Sequence, residues 1–204
     1  MDGRARPLLE RDVDADPLRQ FERWFRDAAD AGLRAPEAMA VATAASDAVP
    51  SLRMVLLKAF DDRGFVFFTG YESRKGRELA ANPHAALLFY WDALGRQVRI
   101  EGAAEPTSRD ETERYFRTRP RGSQIAALAS SQSRVVSGRD ELDARFAEVE
   151  ADVAARDVPV PPAWGGLRVV PRTYEFWQHR ENRLHDRLRY HSESGAWTIE
   201  RLAP

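Results

Sequence analysis

The sequence predicts a mostly β fold with inserted helices, an α+β domain built on an antiparallel barrel or mixed sheet. About six or seven short stretches alternate apolar and polar residues in the manner of half-buried strands. Helical stretches fall between them without the regular strand–helix alternation of a doubly wound parallel sheet. Neither Gly-x-Gly-x-x-Gly nor Gly-x-x-x-x-Gly-Lys-Ser/Thr occurs, so a Rossmann or P-loop nucleotide site has no support. The 204 residues suffice for one substantial core. We expect a mobile arm over residues 1–15 and a single domain over 16–204.

Asp16-Pro17 is a helix start, a capping residue followed by proline at the first helical position. Leu18, Phe21, Trp24 and Phe25 then recur at helical spacing, and Gly32 stops the helix. Residues 38–45 and 51–60 read as strands, and Asp61-Asp62-Arg63-Gly64 as a hairpin loop into a third strand at 65–69. Ser73 is an N-cap for a helix running to about Asn82. Strands at 85–91 and 97–104 flank a turn at 93–95. Helices follow at 110–118 and 124–129, interrupted by Arg119-Pro120-Arg121-Gly122-Ser123, and then a polar loop at 130–134. An amphipathic, charged helix is expected at 141–155, a proline-rich connector at 158–166, and strands at 167–176, 184–190 and 197–202.

Charge is nearly balanced, with 31 Lys+Arg against 32 Asp+Glu, which argues against a general nucleic-acid or polybasic membrane binder. Without cysteine there is no disulfide, thiolate metal site or cysteine nucleophile. The four histidines, at 84, 179, 185 and 191, form no helical metal-ligand motif. The first residues lack an apolar signal region and no run approaches membrane-spanning length, so we expect a soluble, cytoplasmic protein.

The most unusual stretch is Glu175–Tyr190, which holds Trp177, His179, Arg180, Arg183, His185, Arg187 and Arg189. Read as a strand pair, it puts Arg183, His185 and Arg187 on one face and Leu184 and Leu188 nearer the other. Such a face is a poor core and a good anion-binding wall. Three more basic clusters are Arg53 with Lys58, Arg74 with Lys75 behind the Ser73 cap, and Arg119 with Arg121. A capped helix N-terminus beside Arg-Lys suits a phosphate. Singly, each has a plain structural explanation. Arg74 and Lys75 would be solvated helix residues, Arg53 and Lys58 edge-strand charges, and Tyr115 with Arg119 a surface cation–π pair. His185 would be a hydrogen-bonded structural histidine and Trp177 a core residue.

Taken together they occur in a distinctive order: Arg53-Met-Val-Leu-Leu-Lys58, Phe67-Phe-Thr-Gly-Tyr-Glu-Ser-Arg-Lys75, Arg96-Gln-Val, Tyr115-Phe-Arg-Thr-Arg-Pro-Arg-Gly-Ser123, Ser131-Gln-Ser133, Phe176-Trp-Gln, Arg183-Leu-His-Asp-Arg187 and the terminal Glu200-Arg-Leu-Ala-Pro204. From Asp16 onward this resembles the pyridoxamine 5′-phosphate oxidase family. The resemblance implies a split β-barrel that works as a homodimer, with FMN at the subunit interface. Carried over by position, it implies FMN contacts at Arg53, Met54, Val55, Leu56, Leu57, Lys58, Phe68, Thr69, Arg74, Lys75, Gln97, Gln132, Ser133, Trp177 and Arg187. Lys58, Tyr115, Arg119 and Ser123 would bind the substrate's 5′-phosphate. Arg183 and His185 would face its pyridine ring as the catalytic pair, positioning and polarising it. The implied reaction oxidises pyridoxamine or pyridoxine 5′-phosphate to pyridoxal 5′-phosphate, with O2 as acceptor and H2O2 as product. Two other readings stand beside it: a flavin oxidase of phenazine-type secondary metabolism, and a non-catalytic split barrel holding FMN, haem or pyridoxal phosphate. The chain departs from the family pattern at His179, where relatives carry glycine, at Tyr90 and Leu128, and in lacking an Arg-x-x-Tyr in its arm.

Overall fold

The computed structural model describes residues 7–193 and 195–204. Among them are five α-helices and nine strands, α1 (Pro17–Asp30), β1 (Ala38–Ala44), β2 (Pro50–Leu56), β3 (Ala59–Asp61), β4 (Gly64–Gly70), α2 (Arg74–Ala81), β5 (His84–Trp91), β6 (Arg96–Pro106), α3 (Arg109–Thr118), α4 (Arg121–Ala129), α5 (Arg139–Asp152), β7 (Trp164–Gln178), β8 (Asp186–Glu193) and β9 (Ala196–Arg201). All strands join one antiparallel sheet in the order β2-β1-β5-β6-β7-β4-β3, with β8 on β7 and β9 on β8. Strand β7 is the hub. One of its edges carries β6, while the other carries β4 on its first half and β8 on its second. The sheet therefore splits and curls into a half-barrel, the expected fold class.

Helix α1 fills the curl. Asp16 accepts a hydrogen bond from the Leu18 amide at 2.8 Å and Pro17 opens the helix, as expected. Its apolar face drives Phe21 into Phe60, Phe65 and Phe89 at centroid separations of 4.8–5.1 Å, while Trp24 meets Phe176 edge-on. Truncating a fully buried ring such as Phe21 to alanine costs about 3–5 kcal/mol. A second cluster of Phe116, Ile125, Val153, Val158, Val160 and Trp164 packs α3 and α4 against the proline-rich connector.

Several expectations needed correction. The strand over 51–60 is broken: β2 pairs with β1, Leu57 turns into the core, and β3 pairs with β4. Strand β7 begins at Trp164, within the expected connector. It carries a bulge where Glu101 faces Thr173 but Gly102 faces Pro171. A Cβ on Gly102 would sit 2.0 Å from the Val170 carbonyl oxygen, so only glycine fits. Helix α5 buries none of its residues, and only Phe146 and Val149 touch the second cluster, so its amphipathicity is slight. The last hairpin starts at Asp186; Glu181–Arg183 form a 3-10 turn instead of a strand.

Of the segment expected to be an arm, residues 1–6 lie outside the described residues. Leu8 is buried, its amide donates to Asp186 Oδ2 at 3.1 Å, and Tyr190 donates its hydroxyl to the Asp14 carbonyl at 2.7 Å. No helix among the described residues is long and apolar enough to cross a membrane.

Candidate active site

A cleft of about 910 Å³ opens between the end of β2, β4, the start of α2, the α3–α4 junction and the polar loop at 130–134. It gathers many residues singled out in the sequence: Met54, Val55, Leu56, Lys58, Phe68, Thr69, Lys75 and Gln132, together with Tyr115, Arg119 and Ser123.

One side is organised by the α2 N-terminus. Ser73 caps the helix, its Oγ accepting from the Gly76 amide at 3.3 Å. Lys75 is buried, and its Nζ donates to hydroxyls, Thr69 Oγ1 at 2.9 Å and Ser73 Oγ at 3.4 Å. Burial, then the charge of Arg53, lowers its proton affinity, with Glu78 opposing. Gln132 Oε1 accepts from Thr69 Oγ1 and the Gly70 amide, both at 3.0 Å, which ties the polar loop to β4. The next residue, Ser133, takes a left-handed φ of 70°. Arg53 and Arg74 are spoken for within the chain: both pair with the buried Glu78, at 3.3 and 2.8 Å. Burial works against the Glu78 carboxylate, yet bonds from Ser51, Thr43, Arg74 and Arg53 hold its pKa down at about 2.

The other side lies at the α3–α4 junction. Phe68 and Tyr115 stack at 3.9 Å, and Trp164 stacks on Phe68 at 5.4 Å, which makes an aromatic floor. The plain structural alternative, a cation–π pair of Arg119 with Tyr115, is not formed; the Arg119 guanidinium lies over Trp164 at 4.7 Å. Gln124 holds the adjoining backbone by donating to the Phe116 and Arg119 carbonyls. Arg119 Nη1 is buried and lacks a hydrogen-bond partner among the described residues. Burial lowers the pKa of Arg119 and raises that of Tyr115. Arg121 is structural instead, donating to the Val153 and Arg156 carbonyls.

The remaining candidates lie apart from this cleft. Gln97, Trp177 and Arg187 form a cross-strand row on β6, β7 and β8, on the sheet face opposite the core. Tyr90 continues the row on β5. Arg187 binds Glu175 through Nε at 2.8 Å and Nη2 at 3.1 Å, and donates to the Ala203 carbonyl. The wall of Arg183, His185 and Arg187 on one strand face is not formed. Asn182 and Arg183 have φ of 55° and 62°, so the chain turns tightly there and only Arg187 lies on a strand. His185 nonetheless lies against Trp177, the ring centroids 4.5 Å apart and the planes tilted by 39°. Leu57 is buried in the core, so its side chain is withdrawn from the cleft.

Sequence reasoning missed Glu78, Glu175 and Trp164. Glu78 had a legible signal, its i,i+4 spacing from Arg74 on a capped helix. Glu175 and Trp164 gain their partners through strand register and helix docking, which local pattern does not encode.

This donor set fits phosphorylated ligands. Among the described residues, a buried ammonium at a helix N-terminus is bonded only to hydroxyls, and a separate buried guanidinium nitrogen lacks a hydrogen-bond partner; each could hold an anion, and an aromatic floor lies beside them. Among the described residues no cluster of His, Asp or Glu could hold a metal ion.

Comparison with known proteins agrees with this geometry. Residues 25–151 match the family model described as pyridoxamine 5′-phosphate oxidase. Residues 164–204 match the pyridoxine 5′-phosphate oxidase C-terminal dimerisation region. The chain is 57% identical over 197 residues to a pyridoxine/pyridoxamine 5′-phosphate oxidase of Rubrobacter xylanophilus, covering 97% of this chain and 91% of the relative. It is 52% identical to one of Acaryochloris marina, covering 100% and 93%. Among solved structures, PhzG from Burkholderia lata, in complex with tetrahydrophenazine-1-carboxylic acid, superposes with a TM-score of 0.92 at 35% identity, over 98% of this chain and 100% of that one. An FMN-binding protein of Nostoc punctiforme shares the fold, with a TM-score of 0.71 at 15% identity over 93% and 98% of the two chains. With both family models matched in order and relatives similar over nearly their whole length, the chain belongs to the pyridoxamine 5′-phosphate oxidase family.

Proposed function

We propose that this protein is an FMN-dependent oxidase that converts pyridoxamine or pyridoxine 5′-phosphate to pyridoxal 5′-phosphate, using O2 and releasing H2O2; with the amine, water is also consumed to supply the aldehyde oxygen and the nitrogen leaves as ammonia. The observation that carries the reading is the pair of separate anion sites in one cleft, Thr69–Ser73–Lys75 on one side and Arg119 on the other. A cofactor phosphate and a substrate phosphate need one each; a carrier of a single phosphorylated ligand needs only one. FMN, when bound, would supply the two-electron redox chemistry between the substrate's C4′ carbon and O2.

The chain's own groups bind and orient. Lys75, Ser73 and Thr69 would hold the cofactor phosphate at the α2 N-terminus, with Gln132 tying the polar loop to β4 beside them. Lys58, Tyr115, Arg119 and Ser123 hold the substrate phosphate. Arg183 and His185 face the pyridine ring, with Trp177, Gln97 and Arg187 beside the flavin. This second group reaches the cleft only if a second copy supplies it, and we infer a homodimer. Strand β2 exposes Leu52 (68%), Met54 (65%) and Leu56 (42%), an apolar edge that water should not face. Met54 and Leu56 also line the cleft, so a copy covering that edge also roofs the site.

The solved relative with a phenazine ligand supports a second reading, an oxidase of a dihydrophenazine-like ring. The presence of Lys58, Tyr115, Arg119 and Ser123 in one cleft favours the phosphorylated substrate. The test is reconstitution with FMN, followed by pyridoxamine 5′-phosphate or a reduced phenazine in air. Oxidation of the first, with pyridoxal 5′-phosphate and peroxide formed, supports the proposal; oxidation of the second alone refutes it.

A further inference from the structure

Three aromatic rings meet at the β7–β8 turn. His185 lies 4.5 Å from Trp177 and 5.2 Å from His179, centroid to centroid, and the outer two are 6.1 Å apart. His179 is fixed from behind, its amide donating to the Gly95 carbonyl at 2.8 Å. The Arg180 amide, one residue on, donates to His185 Nδ1 at 3.2 Å. A ring nitrogen that accepts a hydrogen bond carries no proton, so the neutral ring bears its proton on Nε2. The left-handed turn at Asn182 and Arg183 closes the short loop that makes this contact.

Charge acts in the same direction as geometry. Burial, then His179, then Arg183 lower the proton affinity of His185. The flanking Arg180 and Asp186 face each other at 3.6 Å, and Asp186 is also held by Arg201 at 2.8 Å.

We propose that His179 is a positioning residue: with Trp177 and the Arg180 amide it holds His185 as the neutral Nε2–H tautomer. His185 then offers the substrate ring a hydrogen-bond donor, not a base. That last step rests on the proposed function, whereas the tautomer lock is a property of the protein before any substrate binds.

The experiment is long-range proton–nitrogen NMR on FMN-loaded protein labelled with nitrogen-15 histidine, from roughly pH 5 to 9. It compares the native protein with His179→Gly and His179→Phe, using His185→Gln for assignment. In the native protein His185 should show a bare Nδ1 and a protonated Nε2 across the neutral range. His179→Gly should mix the tautomers and raise the titration midpoint. His179→Phe should keep the tautomer, because the ring still packs, yet raise the midpoint, because the second imidazole beside His185 is gone. With pyridoxamine 5′-phosphate, His179→Gly should lower kcat/KM at neutral pH, because part of the protein then lacks the Nε2–H donor, and His179→Phe should not. A proton on Nδ1 in the native protein, or identical spectra for native and His179→Gly, overturns the proposal. If the spectra change as expected but no form turns over the substrate, the lock stands and the proposed function falls.

Discussion

Replacing Arg119 with methionine keeps an apolar stem against Trp164 but removes the charge and the planar fork. Hydrogen bonds to a charged group contribute about 1.5–3 kcal/mol, so the variant should raise KM for pyridoxamine 5′-phosphate roughly 10- to 150-fold. Its effect on folding runs the other way. Arg119 Nη1 is buried without a hydrogen-bond partner among the described residues, an arrangement that costs about 1–3 kcal/mol, against about 0.5–1 kcal/mol lost from the contact over Trp164. The unliganded variant should therefore melt at the same temperature or a few degrees higher. FMN affinity should hold, because Lys75 and Ser73 lie at the other side of the cleft. Arg119→Lys keeps the charge without the fork and should fall between the two. The assays are oxygen consumption against substrate concentration, fluorescence titration with FMN, and thermal melts. A variant that melts several degrees lower with KM unchanged would show that Arg119 serves the fold, and the substrate-phosphate assignment would fail.

Further outcomes follow from the same geometry. Lys75→Met should weaken FMN binding by roughly 10- to 100-fold, read by flavin fluorescence, through loss of a charged hydrogen-bonding group. Glu78 has a folded pKa near 2 against an ordinary 4.5, so its contribution to stability is complete above about pH 4.5 and fades as pH falls toward 2. Urea melts of native protein and Glu78→Gln should thus differ by about 2 kcal/mol near pH 7 and converge near pH 2. Met54→Asp on the exposed β2 edge should shift the protein toward monomer in sedimentation and lose FMN in parallel, since that residue serves both the edge and the cleft.

Legibility in the sequence followed the range of the interaction. The α1 start at Asp16-Pro17, the Ser73 cap and the 61–64 hairpin are local, and each formed where its residues called for it. The break at Leu57–Lys58 was hidden because apolar residues line both faces of 51–60. Only the pull of the core on Leu57 and the pairing of the Lys58 amide with the Val66 carbonyl separate β2 from β3. Alternation misled at 182–187, where the two non-glycine residues Asn182 and Arg183 adopt left-handed φ; Asn182 was the one local hint. The cleft residues were legible as a set through family order. Their pairing was not: Arg119 over Trp164 and Arg53 on Glu78 depend on how α3 and α2 dock.

The most direct measurement is peroxide and pyridoxal 5′-phosphate formed when pyridoxamine 5′-phosphate is added in air to the FMN-reconstituted protein. The protein should be yellow and should form both products in equal amounts. Bound FMN with no turnover of either the amine or the alcohol substrate would contradict the proposed function.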